Sequence, residues 1–297
     1  MDEQDCMPTL GGLIAAWVAR LHRAGVYNPE ADVQRIIETV MEVRAPALGM
    51  FIPYNKRQRI EAIVLRRERR EPMARIMGYV EFCDLKFLTH DGVFRPYPET
   101  ETVVDVVLDQ FPNREAALRV LDVGTGSGCL LLSVLNAYPR ASGLGIDIDP
   151  LAIAAAQENA ERLGLAARAA FREGDWLTGL TERFDLLLSN PPRVPSLMTM
   201  HLLPEMRDHD PLPAIDGGPD GLAFFRRLAD GFEQVCAADG CGVFQVSDAD
   251  AVSRIFARRT GTKVTVHGNF LGIPGCVKVV AGAGPVNKKR QINRLFG

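Results

Sequence analysis

A glycine-rich turn between two apolar segments constrains the fold of this chain more than any other feature. The turn belongs to a series of four segments, which are an apolar run, the glycine-rich turn itself, a run with helical spacing and a second apolar run: Leu118–Val123, Gly124–Gly128, Cys129–Ala137 and Gly143–Ile148. Predicted elements continue to alternate downstream, with helices over 153–163 and 222–236 and strands over 169–173, 184–189, 242–246 and 277–281. Such alternation is typical of an open, mainly parallel sheet with helices on both faces and ligands at the carboxyl ends of its strands. The sequence therefore predicts a doubly wound α/β fold.

The chain before this unit has a different pattern. Apolar residues recur at helical spacing from Leu10 to about Arg70, and prolines divide the stretch. We predict a helical N-terminal domain over 1–72, a hairpin linker over 73–97, an α/β domain over 98–284 and a basic tail over 285–297. The basic run Arg66–Glu71 is interpreted as a solvated helix face, with contact to an acidic partner as the alternative.

Charge and cysteine usage exclude several classes of protein. A net charge of −3 and a pI near 6.0 argue against a general nucleic-acid binder. The six cysteines form no CxxC pair, so we predict reduced thiols and neither a zinc site nor a disulfide framework. The start Met1–Asp5 is acidic, and no apolar run approaches the roughly 18–20 residues that span a bilayer. A cytoplasmic protein without a membrane segment is expected.

The glycine-rich turn is a candidate binding site for a nucleotide-like ligand. In Asp122-Val123-Gly124-Thr125-Gly126-Ser127-Gly128, glycines permit a tight turn and bring backbone N–H groups close to a ligand. The dinucleotide pattern G-x-G-x-x-G would need a glycine at position 129, which is occupied by Cys129. The loop is therefore of the D-x-G-x-G-x-G type, and a purely structural turn is the alternative.

Two acidic residues follow other predicted strands. Asp147 ends the second apolar run, where a carboxylate can accept hydrogen bonds from both hydroxyls of a ribose. The neighbouring Asp149-Pro150 is predicted to start the next helix, with Asp149 as its N-cap. Asp175-Trp176 offers an acceptor for an adenine amine and an aromatic surface for the purine, although a core tryptophan would give the same pattern.

A proline-rich segment follows the buried strand over 184–189. Asn190-Pro191-Pro192 is predicted at the same sheet edge as the glycine loop, and its prolines stiffen the turn and offer carbonyl oxygens. The Asn190 side-chain oxygen and the Pro191 carbonyl can hold the two hydrogens of a planar amide nitrogen and direct that nitrogen at an electrophilic methyl group. No metal or covalent nucleophile is required. A merely rigid loop is the alternative.

These segments together resemble the HemK/PrmC family of protein-glutamine N5-methyltransferases, which modify the GGQ motif of class I peptide chain release factors. The resemblance covers nearly the whole chain. Its motifs are the helical N-terminal domain, Glu71–Phe82, Pro98-Glu99-Thr100-Glu101, the glycine loop, Gly174-Asp175-Trp176, Asn190-Pro191-Pro192, Asp210–Ala214, Gly217-Gly218 and Asp220-Gly221-Leu222.

The resemblance implies a class I methyltransferase fold, with a seven-stranded sheet and a helical domain that recognises the substrate. It implies S-adenosyl-L-methionine as the cofactor and the release-factor GGQ loop as the partner. By this likeness the cofactor would be bound by Asp122, Gly124, Thr125, Gly126, Ser127, Gly128, Asp147, Asp175, Trp176 and Asn190. The acceptor amide would be held by Asn190, Pro191 and Pro192, with Arg193 and Tyr97 beside it.

The sequence departs from the family pattern at three places. Arg193 stands where the family motif NPPY has tyrosine, Tyr97 stands where the family has arginine, and Phe244–Asp248 replaces a strand that carries glutamate and glutamine. We expect Tyr97 and Arg193 to meet near the pocket and to keep a cation–π contact with exchanged positions. Two unrelated substitutions are the alternative.

Arg193 also leaves the identity of the methyl acceptor open. A guanidinium can bind a carboxylate or stack on a flat group, so methylation of a nitrogen in a small metabolite is a second hypothesis. A non-catalytic protein that binds the cofactor is a third. Methylation of a DNA base is disfavoured, because the motif lacks its aromatic residue and the chain has no basic surplus or added recognition domain.

Overall fold

The computed structural model describes residues 9–260, 262–268 and 272–281. These residues form two compact units. One contains the chain up to Gly78 together with Leu203–His209, and the other contains Tyr79–Leu202 and the chain from Asp210 onward. The predicted basic tail at 285–297 and the acidic start Met1–Asp5 lie outside the described residues.

The first unit is a small helical body. Asn28 caps the second of its helices, where its side chain accepts a hydrogen bond from the Ala31 N–H, and Pro29 takes the first helical position. Trp17, Ile36 and Ile37 are fully buried in a core made only of residues from this unit. Its helices are α1 (Leu10–Arg23), α2 (Pro29–Met41), α3 (Tyr54–Glu68) and α4 (Met73–Met77), with the short α8 (Pro204–Arg207) added from the downstream segment.

Two arginines of the basic run, Arg67 and Arg70, are paired within the helical unit. Arg67 is buried and forms ion pairs with Asp32 at 2.7 Å and with Glu205 at 2.9 Å. Arg70 holds the same Glu205 carboxylate through two hydrogen bonds of 2.7 and 2.6 Å. A solvated face is thus the wrong interpretation for Arg67 and Arg70, because their acidic partners come from the chain itself.

The second unit is built on a seven-stranded sheet. Its strands are β3 (Arg119–Val123), β4 (Ser142–Asp147), β5 (Ala169–Glu173), β6 (Phe184–Ser189), β7 (Cys236–Gln245), β8 (Lys263–Gly268) and β9 (Pro274–Val280). Their order across the sheet is β5-β4-β3-β6-β7-β9-β8. The pairs from β5 to β7 are parallel, whereas β9 runs antiparallel to both β7 and β8. A separate antiparallel hairpin pairs β1 (Tyr79–Phe82) with β2 (Leu85–Leu88), within the segment predicted as the hairpin linker.

Helices cover both faces of this sheet, as predicted. One core packs Val103, Leu131 and Tyr138 against the sheet, and a second packs Phe225 and Phe256 against it. The helices are α5 (Glu101–Gln110), α6 (Cys129–Ala137), α7 (Pro150–Arg162), α9 (Ala223–Val235) and α10 (Ala249–Thr260). Among the described residues, no helix is both long enough and apolar enough to cross a bilayer.

The late part of the sheet differs from the prediction. Strand β7 begins at Cys236, where a helix was expected to end, and it includes Ala237–Gly240. These small and acidic residues have low strand propensity, and they lie at an irregularity in the ladder with β6, between the pairs Phe184–Cys236 and Leu186–Cys241. Helix α10 and strand β8 were not predicted, although α10 is amphipathic.

Candidate active site

The order of the central strands brings the predicted motifs to one edge of the sheet. Strands β4, β3 and β6 are neighbours and parallel, so their carboxyl ends lie side by side. The glycine loop follows β3, Asp147 ends β4 and Asn190 follows β6. This is the edge at which open α/β sheets bind ligands.

The glycine loop requires glycine at three positions. Gly124, Gly126 and Gly128 have φ angles of 71°, 54° and 80°, a region that side chains with a Cβ rarely adopt. The N–H groups of Gly124 and Thr125 both donate to the Ile146 carbonyl, at 2.8 and 2.9 Å. The loop is thereby fixed to the end of β4, and α6 begins directly after Gly128.

Asp147 is bound to the glycine loop in the structure itself. Its Oδ2 accepts a hydrogen bond from the Gly126 N–H at 2.9 Å, and its Oδ1 accepts one from the Asp149 N–H at 3.0 Å. Burial raises the pKa of Asp147, while these backbone hydrogen bonds act in the opposite direction. Asp149 caps α7 by accepting from the Leu151 N–H at 2.9 Å, which confirms its predicted role.

Asp122 lies beneath the loop rather than on its surface. Its side chain is buried and accepts a hydrogen bond of 2.7 Å from the Thr125 hydroxyl. Burial raises the pKa of Asp122 to about 7, although the Thr125 hydrogen bond opposes the change. The contact joins the end of β3 to the glycine loop.

Asp175 and Trp176 form a wall with two residues that the sequence did not single out. Trp176 adopts a φ of 58° and stacks on Phe224, with ring centroids 4.6 Å apart. Arg227 lies 5.7 Å from the centre of the Trp176 ring and forms a 2.8 Å ion pair with Asp175. The sequence Phe224-Phe225-Arg226-Arg227 at the start of α9 was the available signal for Phe224 and Arg227.

A cavity of about 530 Å³ opens at this edge of the sheet, within the range of small-molecule sites. The predicted residues that line it are Gly124, Thr125, Gly126, Ser127, Asp147, Asp175, Trp176, Asn190 and Pro192. The other predicted residues, all of which the structure describes, do not line it: Tyr97, Asp122, Gly128, Pro191 and Arg193. Ile146, Ala152 and Phe94 add apolar surface.

Both polar atoms of the Asn190 side-chain amide form hydrogen bonds. Its Oδ1 accepts a hydrogen bond of 2.5 Å from Arg193 Nη1, and its Nδ2 donates to the Thr100 hydroxyl at 3.3 Å. Burial lowers the pKa of the half-buried Arg193 to about 10, while the charges of Glu99 and Tyr97 oppose that change. Arg193 therefore remains a cation at neutral pH.

The cation over the Tyr97 ring is Arg95, not Arg193. The Arg95 guanidinium carbon lies 4.6 Å from the ring centre, and Tyr97 donates a 2.8 Å hydrogen bond from its hydroxyl to Asp210. Residues two apart in an extended segment point to the same side, which brings Arg95 to Tyr97, whereas Arg193 donates to Asn190. The predicted partner in the cation–π contact was therefore wrong.

The segment after Asn190 is packed against a glycine-bearing loop. The Arg193 N–H donates to the Ile215 carbonyl at 3.2 Å. A Cβ at Gly221 would lie 2.4 Å from the Arg193 carbonyl oxygen, and one at Gly217 would lie 2.7 Å from the Arg193 Cα. Only glycine allows this approach, so these two positions fix the path of the chain next to Asn190.

Two further polar residues support the site without entering it. Asn159 is fully buried and donates to the Ser127 carbonyl at 3.1 Å, while its Oδ1 accepts from the Leu88 N–H at 2.8 Å. The Ser189 hydroxyl donates to the Val123 carbonyl at 2.7 Å. An asparagine on the alanine-rich face of α7 was the signal that sequence reasoning missed.

Comparison with known proteins agrees with this geometry. A family model described as Methyltransferase small domain matches residues 84–204. A release factor glutamine methyltransferase of Caulobacter vibrioides is 40% identical over 263 residues, which are 85% of this chain and 90% of the relative. The chain belongs to the release factor glutamine methyltransferase family. The resemblance to the HemK/PrmC family is thereby confirmed.

A further relative supports the family assignment, and a solved structure supports the fold. A member from Rhodospirillum rubrum is 40% identical over 224 residues, which are 74% of this chain and 68% of the relative. The solved catalytic domain of hMettl16, in complex with MAT2A 3'UTR hairpin 6, shares the fold with a TM-score of 0.55 at 15% identity, over 72% of this chain and 82% of that chain. The chain is an S-adenosylmethionine-dependent methyltransferase with the class I fold.

Proposed function

We propose that this enzyme methylates the side-chain amide nitrogen of the glutamine in the GGQ motif of a peptide chain release factor. The observation that carries the proposal is that Asn190 and Pro192 line the same cavity as the glycine loop and Asp147. An amide acceptor at Asn190 would thus lie next to a cofactor held by the loop. The relatives at 40% identity bear the name of that activity. A cytoplasmic location follows from the proposed role in translation.

The residues at the sheet edge fit S-adenosylmethionine. The carboxylate oxygens of Asp147 each accept one backbone N–H and keep lone pairs for ribose hydroxyls. Trp176 lines the cavity beside Phe224 and offers an aromatic surface for adenine. The glycines of the loop carry no side chains, which leaves room for the rest of S-adenosylmethionine. We propose that these residues hold the cofactor.

The chain itself orients the acceptor. When bound, the cofactor supplies a methyl group on a sulfonium sulfur, which is a good leaving group. An amide nitrogen is weakly nucleophilic because its lone pair is delocalised, so its direction towards the methyl group must be fixed. We propose that Asn190 Oδ1 and the Pro191 carbonyl accept its two N–H groups. Positioning of this kind contributes several kcal/mol to lowering a barrier.

Arg193 favours one alternative acceptor. A half-buried guanidinium next to Asn190 is suited to a substrate that carries a carboxylate. Methylation of a nitrogen in a small metabolite is therefore the second candidate. The contact of Arg193 with Asn190 counts against it, because that guanidinium already has a partner within the site.

One experiment separates these functions. Purified protein is incubated with methyl-labelled S-adenosylmethionine and either a release factor, the same factor with its GGQ glutamine changed to alanine, or a low-mass fraction of the source extract. The proposal predicts label in the intact factor and none in the alanine variant. Label only in the low-mass fraction would support the metabolite enzyme. Cofactor binding without transfer to any acceptor would support a non-catalytic protein.

A further inference from the structure

We propose that Arg193 and Thr100 are positioning residues that lock the Asn190 amide in one of its two orientations. The inference rests on the proposed function, since it gives Arg193 and Thr100 a role in orienting Asn190, the residue proposed to bind the substrate amide. It concerns a residue at which this chain departs from its family, Arg193 in place of tyrosine.

The chemistry of Arg193 fixes the orientation. A guanidinium has hydrogen-bond donors and no acceptor, so only an oxygen can face Arg193 favourably. Arg193 Nη1 meets Asn190 Oδ1 at 2.5 Å, and the Asn190 Nδ2 then faces the Thr100 hydroxyl oxygen at 3.3 Å. The reversed amide would set its NH₂ group against the guanidinium and leave a donor unsatisfied.

The lock leaves Asn190 able to bind a substrate. The side-chain oxygen of asparagine has two lone pairs and the nitrogen has two hydrogens. Arg193 uses one lone pair and Thr100 uses one hydrogen. One lone pair on Oδ1 is left for an N–H of the acceptor amide. The two contacts therefore orient Asn190 without blocking it.

Both partners are held in place by the fold. Thr100 is buried with 1% of its surface exposed, at the point where a 3-10 helix over Pro98–Thr100 continues into α5. The Arg193 backbone donates to Ile215 and lies against Gly221. Glu99 supplies negative charge near the guanidinium and favours its protonated form. The fixed donor on the Arg193 side gives the amide a single favourable orientation, and the Thr100 hydroxyl holds the other end by accepting from Nδ2.

The test compares variants that keep or remove each contact. Arg193→Met removes the donors at similar length, Arg193→Lys keeps a cationic donor, Thr100→Val removes the hydroxyl and Thr100→Ser keeps it. Arg258→Met, on the exposed face of α10, serves as the control for loss of an arginine. Steady-state kinetics use a peptide that contains GGQ, and the Kd of S-adenosylhomocysteine and the Tm report on cofactor binding and folding.

We expect kcat of Arg193→Met to fall by about 10- to 100-fold, because a misplaced orienting group costs that much. The KM for the peptide and the Kd for the cofactor product should change by less than about threefold, since the lock acts on orientation rather than on binding. Arg193→Lys should recover most of the loss in kcat seen in Arg193→Met, and Thr100→Ser should recover most of the loss seen in Thr100→Val. Unchanged or higher kcat in Arg193→Met would overturn the proposal, as would a loss explained by a lower Tm or weaker cofactor binding.

A second readout does not depend on methyl transfer. In ¹⁵N NMR spectra, the side-chain NH₂ of Asn190, assigned by its loss in Asn190→Ala, should give one sharp pair of resonances in the wild type. Arg193→Met should give exchange-broadened or doubled resonances. An unchanged pair in that variant would reject the lock, whether or not the peptide is a substrate. Failure of the wild type to methylate both the peptide and the intact release factor would instead reject the proposed function.

Discussion

Asp147 Oδ2 accepts a hydrogen bond from the backbone N–H of Gly126 at 2.9 Å. The carboxylate proposed for the ribose and the loop proposed for the rest of the cofactor are therefore one hydrogen-bonded unit. Asp147 is held by a second N–H, from Asp149, at 3.0 Å. Its oxygens are thereby oriented before any ligand binds, which lowers the cost of binding.

Replacing Asp147 should weaken cofactor binding strongly. In Asp147→Asn, an NH₂ group would face one of the two backbone N–H donors, and one acceptor for a ribose hydroxyl would be lost. Hydrogen bonds to charged groups contribute about 1.5–3 kcal/mol each, so we expect the Kd of S-adenosylhomocysteine to rise by about 10- to 100-fold in calorimetry.

Asp149→Asn is the matched control for that change. Asparagine caps a helix as well as aspartate does, and the Leu151 N–H keeps its acceptor. The Kd should rise far less than in Asp147→Asn. An equal effect of the two variants would contradict the assignment of Asp147 to the ribose.

Asp122 should make the stability of the protein depend on pH. Burial raises its pKa from 3.8 to about 7, which corresponds to at most about 4 kcal/mol. Because the folded state holds the proton more tightly, this contribution is present below the unfolded pKa and is lost as the pH rises from about 4 to 7. The side chain in Asp122→Asn does not titrate, so the variant lacks this dependence of stability on pH.

Denaturant unfolding of wild type and Asp122→Asn from pH 5 to pH 8 measures the effect. The difference in free energy of unfolding should shift in favour of the variant as the pH rises. A difference that is constant over this range would show that Asp122 titrates as it does in the unfolded chain. Other titrating groups are common to both proteins and cancel in the difference.

Local sequence signals were sufficient for the parts of the site that lie within single strand-to-helix units. The apolar run before Gly124, the glycine spacing and Asp149-Pro150 each act through neighbouring residues, so the loop and the start of α7 could be predicted. The edge where Asp147 and Asn190 meet followed from the rule for parallel strands.

Contacts between distant segments could not be predicted in the same way. Arg95 replaces the expected cation over Tyr97, Glu205 joins a helical unit far upstream, and Asn159 supports the glycine loop from α7. Each depends on a partner that no periodicity or spacing identifies. Strand β7 begins within residues of low strand propensity, and its pairing with β6 shifts register between Cys236 and Cys241, which no local signal indicates.

Glu205 should stabilise the helical unit. It accepts hydrogen bonds from Arg67 and Arg70, and its side chain is 14% exposed. Burial acts to raise the pKa of Glu205, but the arginine contacts outweigh it and lower the pKa. Removing one partner of a buried pair is costly, so Glu205→Gln should reduce the free energy of unfolding by about 3 kcal/mol in denaturant.

The acid dependence tests the same contact. Because the folded pKa of Glu205 is lowered, its contribution is present above the unfolded pKa and is lost as the pH falls below about 4. Wild type and Glu205→Gln should therefore converge in stability towards low pH. Asp208→Asn, an exposed carboxylate of the same segment that pairs with Arg207, should change stability little at any pH.

The aromatic wall at Trp176 should contribute to cofactor affinity through its ring. Stacking of a base on an aromatic side chain is worth about 1–3 kcal/mol, so Trp176→Ala should raise the Kd of S-adenosylhomocysteine by about 10-fold or more, and Trp176→Phe by less. Arg227→Met removes both the cation near the ring and the ion pair to Asp175, and it should have an intermediate effect. Arg226→Met, at the next position along α9, loses only an exposed pair with Asp220 and is the control. A Trp176→Ala enzyme with wild-type affinity and unchanged Tm would show that the ring belongs to the core of the unit and takes no part in holding the adenine.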